Sequence, residues 1–237
     1  QLHVVAPGPG QADVDNELLV PVSQAAKGER IVLGICEDKN YRTIVAAALA
    51  NDHLVTARTA MDVNLAKQLN ILITDMGLPA ERIVMDPTTG ALGYGIEYGY
   101  SVMERLRLAA LQGDAMTQLP MLVTPGYETW KAKEGKVGEG VPEAWGDWKE
   151  RAINWEVMTA AALVESAADI VVLPYRSGSQ SAVAPLALGC GVPVLSTTVG
   201  GMPEVVEDGV TGRLAPMGDV RALTEAALSN LENPDRG

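Results

Sequence analysis

Short β-branched runs alternate with longer stretches rich in alanine and leucine, and this alternation predicts an α/β protein of eight parallel strand-helix units. Apolar residues continue without alternation through each short run, as they do in strands buried on both faces. The longer stretches repeat their apolar positions at helical spacing. Strands are predicted at 2–6, 31–35, 54–57, 83–85, 121–124, 170–173 and 194–197, with a weaker eighth near 212–216. Helices are predicted at 41–50, 63–76, 101–112 and 154–166. Eight strands with right-handed crossovers close a (βα)8-like barrel, so closure is the leading expectation. The alternative is an open, doubly wound Rossmann-like sheet.

The length of 237 residues and a hydrophobic fraction of 47% allow a sizeable core, filled by Leu, Val, Ile, Met and Ala because Phe is absent. A net charge of -12 repels nucleic-acid phosphate and anionic lipid surfaces, so neither is an expected partner. No run reaches the ~20 apolar residues that span a bilayer, and no basic, hydrophobic signal segment opens the chain. A cytoplasmic location is expected. The two cysteines, Cys36 and Cys190, stand far apart without a CxxC or Cys/His cluster, so no metal site is expected. Cys36 reads as an inert buried thiol.

No Ser/Gly linker or charge run divides the chain, which favours one domain over 1–237. The stretch 131–148, with several Gly, Pro, Trp and charged residues, reads as a long loop on the rim at the carboxyl ends of the strands. The loops at 36–41, 58–64, 86–98 and 124–130 share that rim in a parallel fold and converge there. Gly90, Gly93 and Gly95 let the 86–98 loop bring backbone amides against a bulky or anionic group; a tight turn without a ligand explains them equally well. Asp86, Glu97 and Glu128 have acid-base chemistry to offer, or else they bind backbone amides and neighbours such as Arg58. Tyr94, Tyr127 and Trp130, with Trp145 and Trp148, either stack on a flat ligand or cover the rim. The two histidines, His3 and His53, begin strands away from that rim and read as packing or surface residues.

Several of these words fall in the order seen in one family: Asn64-Leu-Ala-Lys-Gln-Leu-Asn-Ile-Leu-Ile73, the 86–98 loop, Met103-Glu-Arg-Leu-Arg107, Ala110-Leu-Gln-Gly-Asp114 and Gly126-Tyr-Glu-Thr-Trp130. From about residue 4 to 168 the chain resembles the small subunit of the corrinoid iron-sulfur protein, the delta subunit of the carbon monoxide dehydrogenase/acetyl-CoA synthase system. The resemblance implies a (βα)8 barrel that pairs with a larger subunit holding the iron-sulfur cluster. It also implies a methyl-bearing cobalamin near their interface, so Gly90, Gly93, Tyr94, Gly95, Tyr127 and Trp130 become candidate corrinoid contacts. The family's barrel has two further strand-helix units before the segment matching 2–6, and the expectation is that the carboxyl-terminal units stand in for them.

A second resemblance covers about 162–235. Ala168-Asp-Ile-Val-Val-Leu-Pro-Tyr-Arg176, Ser177-Gly-Ser-Gln-Ser181, Gly191-Val-Pro-Val194, Val199-Gly-Gly-Met-Pro-Glu204 and Glu207-Asp-Gly-Val-Thr-Gly212 resemble the nucleotide-sugar domain of retaining GT-B glycosyltransferases. Ser179, Gln180 and Ser181 would then meet a phosphate or nucleotide-sugar at a helix N-terminus, or simply cap that helix. Ser179 and Leu186 stand where many members carry donor-binding glutamates. With the acceptor domain and half the donor domain unmatched, no transferase activity is expected. Together the two resemblances predict a hybrid of 1–165 and 166–237, read as an engineered scaffold with no complete catalytic site and no required cofactor. The alternatives are a corrinoid-binding methyl carrier or a glycosyltransferase fragment.

Overall fold

The computed structural model describes residues 3–5, 12–88, 90–166, 169–173, 175, 183–219 and 222. All eight predicted strands form: β1 (His3–Val5), β2 (Val32–Cys36), β3 (Leu54–Arg58), β4 (Ile83–Asp86), β5 (Leu122–Val123), β6 (Ile170–Leu173), β7 (Val194–Thr197) and β8 (Gly212–Ala215). The helices are α1 (Ala12–Ala25), α2 (Tyr41–Asn51), α3 (Val63–Asp75), α4 (Ile96–Leu111), α5 (Pro125–Thr129), α6 (Lys133–Lys136), α7 (Trp148–Glu165), α8 (Val183–Gly189) and α9 (Met202–Val205). The loop expected at 131–148 thus contains a short helix of its own.

Every strand pair is parallel, and the order runs β1-β2-β3-β4 in one sheet and β5-β6-β7-β8 in the other. Among the described residues a single bridge, Met85 to Met121, joins the two, with the Met85 amide donating to the Pro120 carbonyl at 2.8 Å. β5 is short for a chemical reason. Pro120 and Pro125 flank it, and proline has no N–H to extend a ladder. Asp169 reinforces the junction: its Oδ2 accepts from the Met121 amide at 2.8 Å and from Arg107 of α4 at 2.7 Å.

Residues of β2, β3, β4 and β7 are almost wholly buried on both faces. Buried apolar side chains from Leu19 to Val206 form one contiguous cluster, so the two sheets share a core. The parallel α/β class therefore stands. Closure does not follow from it, because among the described residues no pairing returns β8 to β1. The structure shows an open parallel array in sequential order.

At the amino-terminal end of the strands, His53 is fully buried. Its Nδ1 accepts from the Ile31 amide at 3.2 Å, which leaves Nε2 as the donor to the Ser23 carbonyl at 2.8 Å. Burial holds its pKa below the ordinary histidine value. His53 is a packing residue, as expected. Cys36 is buried and its thiol is pushed up by desolvation, then by Glu37, which makes it inert.

Candidate functional site

The carboxyl ends of β3 and β4 set the first group. Arg58 and Asp86 are opposite one another in the ladder, and Glu128 arrives from α5, which Pro125 starts immediately after β5. Arg58 Nε lies 3.7 Å from Asp86 Oδ2, and its Nη2 lies 3.5 Å from Glu128 Oε1. Lys131 Nζ closes on Glu128 Oε1 at 2.7 Å. Two cations therefore neutralise two buried carboxylates. Thr88 anchors the arrangement: its hydroxyl accepts from Arg58 Nε at 3.2 Å and donates to the Thr59 carbonyl at 2.5 Å. The Thr88 amide donates to Asp86 Oδ1 at 3.0 Å. Desolvation pushes the Asp86 pKa up, against the pull of Arg58 and the Thr88 amide. Of the acid-base candidates, Asp86 and Glu128 thus take the binding role, while Glu97 lies in the first turn of α4.

The glycine loop closes on itself. The Tyr94 and Ile96 amides both donate to the Ala91 carbonyl, at 2.8 and 3.2 Å. A Cβ on Gly90 would lie 2.3 Å from the Gly95 carbonyl group, so only glycine fits there. Gly93 and Gly95 adopt left-handed backbone, with φ of 69° and 92°. Helix α7 holds the loop in place, since Trp155 Nε1 donates to the Leu92 carbonyl at 2.8 Å and the Leu92 amide donates to Thr159 Oγ1 at 3.1 Å. Turn chemistry accounts for these glycines, and Tyr94 is left 58% exposed at the tip.

The same face of α7 carries Glu156, which is buried. Its Oε2 accepts from Trp130 Nε1 at 3.3 Å and its Oε1 from the Tyr175 hydroxyl at 3.1 Å. Burial raises its pKa, opposed by the Tyr175 and Trp130 hydrogen bonds. Trp130 stands edge-to-face with Trp148 at 6.2 Å and 89°, and remains 45% exposed. Tyr127 is engaged differently, with Lys131 Nζ 4.6 Å and Arg58 Cζ 6.0 Å from its ring centroid. Arg151 staples the 131–148 excursion by donating to the carbonyls of Glu134 at 2.8 Å, Val137 at 2.5 Å and Trp145 at 3.1 Å.

Through α7 the structure brings the Gly90, Gly93, Tyr94 and Gly95 loop and the Tyr127–Trp130 segment onto one rim. Ser179, Gln180 and Ser181 lie outside the described residues. Glu156, Tyr175, Thr88 and Lys131 escaped the sequence reading. Glu156 alone left a signal, since it falls on the apolar stripe of its helix with Ala152, Thr159, Ala160 and Leu163. Among the described residues no group of three or more His, Cys, Asp or Glu side chains is placed to hold a metal. None of the described helices is long and apolar enough to cross a membrane.

Similarity to known proteins follows the two resemblances. The model of the CO dehydrogenase/acetyl-CoA synthase delta subunit matches residues 6–191, and that of glycosyl transferases group 1 matches 156–236. The acetyl-CoA decarbonylase/synthase complex subunit delta of Methanopyrus kandleri is 39% identical over 174 residues, which is 73% of this chain and 42% of that protein. Its counterpart in Methanosarcina mazei is 39% identical over 173 residues, 71% of this chain and 39% of that protein. The chain therefore spans about two fifths of the length of these relatives. Sucrose-phosphate synthase from Thermosynechococcus elongatus aligns over 99% of this chain and 87% of its own at 15% identity, with a TM-score of 0.32, too low for any conclusion about shared architecture. The delta-type match extends to 191 and overlaps the glycosyltransferase-type match from 156, and an engineered origin finds no support in either. By a match covering most of its length, the chain belongs to the CO dehydrogenase/acetyl-CoA synthase delta subunit family.

Proposed function

We propose that the chain supplies the corrinoid-facing rim of a methyl-carrying subunit, acting beside a larger corrinoid iron-sulfur subunit and lacking a complete catalytic site of its own. Family membership motivates the reading, and the partly exposed indole of Trp130 with its N–H already satisfied is the observation that carries it. An indole fixed at its polar edge and still partly exposed suits a flat conjugated macrocycle, so the residues fit the group. When bound, a corrinoid supplies the cobalt that carries the methyl group. The chain's own groups would exclude water and orient the ring: Trp130 and Tyr94 would present aromatic surface, while Arg58 and Lys131 neutralise the buried Asp86 and Glu128. Titrating the full chain with aquocobalamin, alone and with a larger corrinoid iron-sulfur subunit, tests the proposal. A shifted visible spectrum is expected, and unchanged spectra in both arms overturn it.

The same reading treats 1–237 as a single domain, with 1–165 and 166–237 joined around a closed barrel. Its support is the burial of both faces of β2, β3 and β4. Right-handed crossovers in sequential order put all helices on one side, so the opposite face has to be covered by the far strands.

The match over 156–236 carries a second, smaller reading, in which this segment binds a phosphate or nucleotide-sugar. Calorimetry with UDP and UDP-glucose tests it, and the absence of heat at roughly millimolar ligand overturns it.

A further inference from the structure

Glu156 is an expensive residue to place where it is. A carboxylate on the apolar stripe of α7 loses its hydration, and a leucine of similar volume would pack there without that loss. What it gains is two hydrogen bonds, and both donors are aromatic side chains from different rim segments. Trp130 follows α5 and Tyr175 follows β6. The approach is built into the neighbouring backbone, since a Cβ on Gly126 would stand 3.0 Å from Glu156 Oε1. Tyr175 is held from its other end, where Thr197 at the end of β7 donates to its carbonyl at 2.6 Å. Trp148 then packs against Trp130 in a T-shaped pair. The indole is held at its N–H and against Trp148, and the residue remains 45% exposed.

We propose that Glu156 is the positioning residue of the rim, a single buried carboxylate that fixes the Trp130 indole, together with Tyr175, as a preformed stacking platform for a flat conjugated ring. The inference rests on the corrinoid reading above and names the residue on which binding through Trp130 depends. A merely structural tie between helix and loop would hold the fold and leave ligand affinity untouched. A positioning residue acts through the orientation of the indole.

The full chain and its Trp130→Leu, Glu156→Leu, Glu156→Gln and Tyr175→Phe variants are titrated with aquocobalamin, following tryptophan fluorescence quenching. Near-UV circular dichroism of the ligand-free proteins reports indole order. Trp130→Leu and Glu156→Leu are expected to weaken binding about tenfold and to remove the same near-UV signal. Glu156→Gln is expected to restore affinity to within about threefold, because its carboxamide oxygen accepts from the indole while its NH2 donates to the Tyr175 oxygen. Wild-type quenching that persists at equal affinity in Glu156→Leu overturns the inference alone. Absence of quenching in the wild type, both alone and with the larger corrinoid iron-sulfur subunit, overturns the corrinoid reading and the platform with it. Should Glu156→Leu fail to fold, Tyr175→Phe decides: it removes one donor without altering the packing volume, and unchanged affinity and near-UV signal overturn the inference.

Discussion

The Tyr175 hydroxyl donates to Glu156 Oε1 across 3.1 Å, tying the end of β6 to the middle of α7. With Thr197 donating to the Tyr175 carbonyl, the tie extends from a helix inside the delta-type match to a strand matched only by the glycosyltransferase-type model. The two resemblances therefore meet in one hydrogen-bonded network. Tyr175→Phe leaves Glu156 one donor short, and a buried polar group that loses a partner costs about 1–3 kcal/mol. Urea unfolding is expected to show a loss of that size with an unchanged slope.

Glu156 also sets a pH dependence. Its pKa is raised in the folded chain, so the native state holds this proton more tightly than the unfolded state does. Its contribution to stability is greatest below the ordinary glutamate value and declines as pH rises through the raised folded value. Glu156→Gln removes this decline, which urea midpoints measured across the acidic range will show as a flatter profile.

His53 works in the opposite sense. Its folded pKa is lowered, so the unfolded chain binds the proton first as pH falls below the ordinary histidine value of 6.5. Stability is full above that value and is lost as pH falls toward the lowered one, because the charged ring can no longer accept from the Ile31 amide. His53→Gln is expected to abolish this loss. Comparing urea midpoints at about pH 8 and about pH 5.5 checks it.

Arg58→Met removes the cation between Asp86 and Glu128 while keeping most of the side-chain bulk. Both carboxylates are buried, so an uncompensated charge costs about 3–5 kcal/mol, with Lys131 sparing part of it at Glu128. Adding Asp86→Asn should restore part of the loss. Thermal unfolding of the single and double variants measures the coupling, and additive losses would contradict it.

Gly90→Ala tests the self-closed loop. Its added Cβ meets backbone, the Gly95 carbonyl group at 2.3 Å, which cannot move aside as a side chain would. A destabilisation of about 3 kcal/mol or more is expected in thermal unfolding.

The strands were legible because parallel strands buried on both faces are continuous apolar runs, and all eight fell within a residue or two of their predicted places. Helix starts were harder. α4 begins at Ile96, not 101, and α7 at Trp148, not 154, because glycine, tyrosine and charged residues occupy their first turns. The Asp147 side chain accepting from the Glu150 amide at 3.0 Å is the cap that marks the second of these in the sequence. Helix α1 escaped the reading, with Pro21 inside it. On the rim, Arg58, Asp86 and Glu128 were named as possible partners from their positions at strand ends. Tyr175 was not, because nothing local tells a tyrosine after β6 that a glutamate nineteen residues earlier will face it.

By itself the sequence determined the α/β class, the parallel order of strand and helix, and family membership, since all three depend on local periodicity and on words of contiguous residues. Tertiary structure alone decided that Glu156 accepts from Trp130 and Tyr175, that Arg58 lies between two carboxylates, and that the glycine loop satisfies its own amides. Those pairings join residues whose distance in space is set by strand register and by the packing of α7 across the rim, neither of which any short stretch of chain encodes.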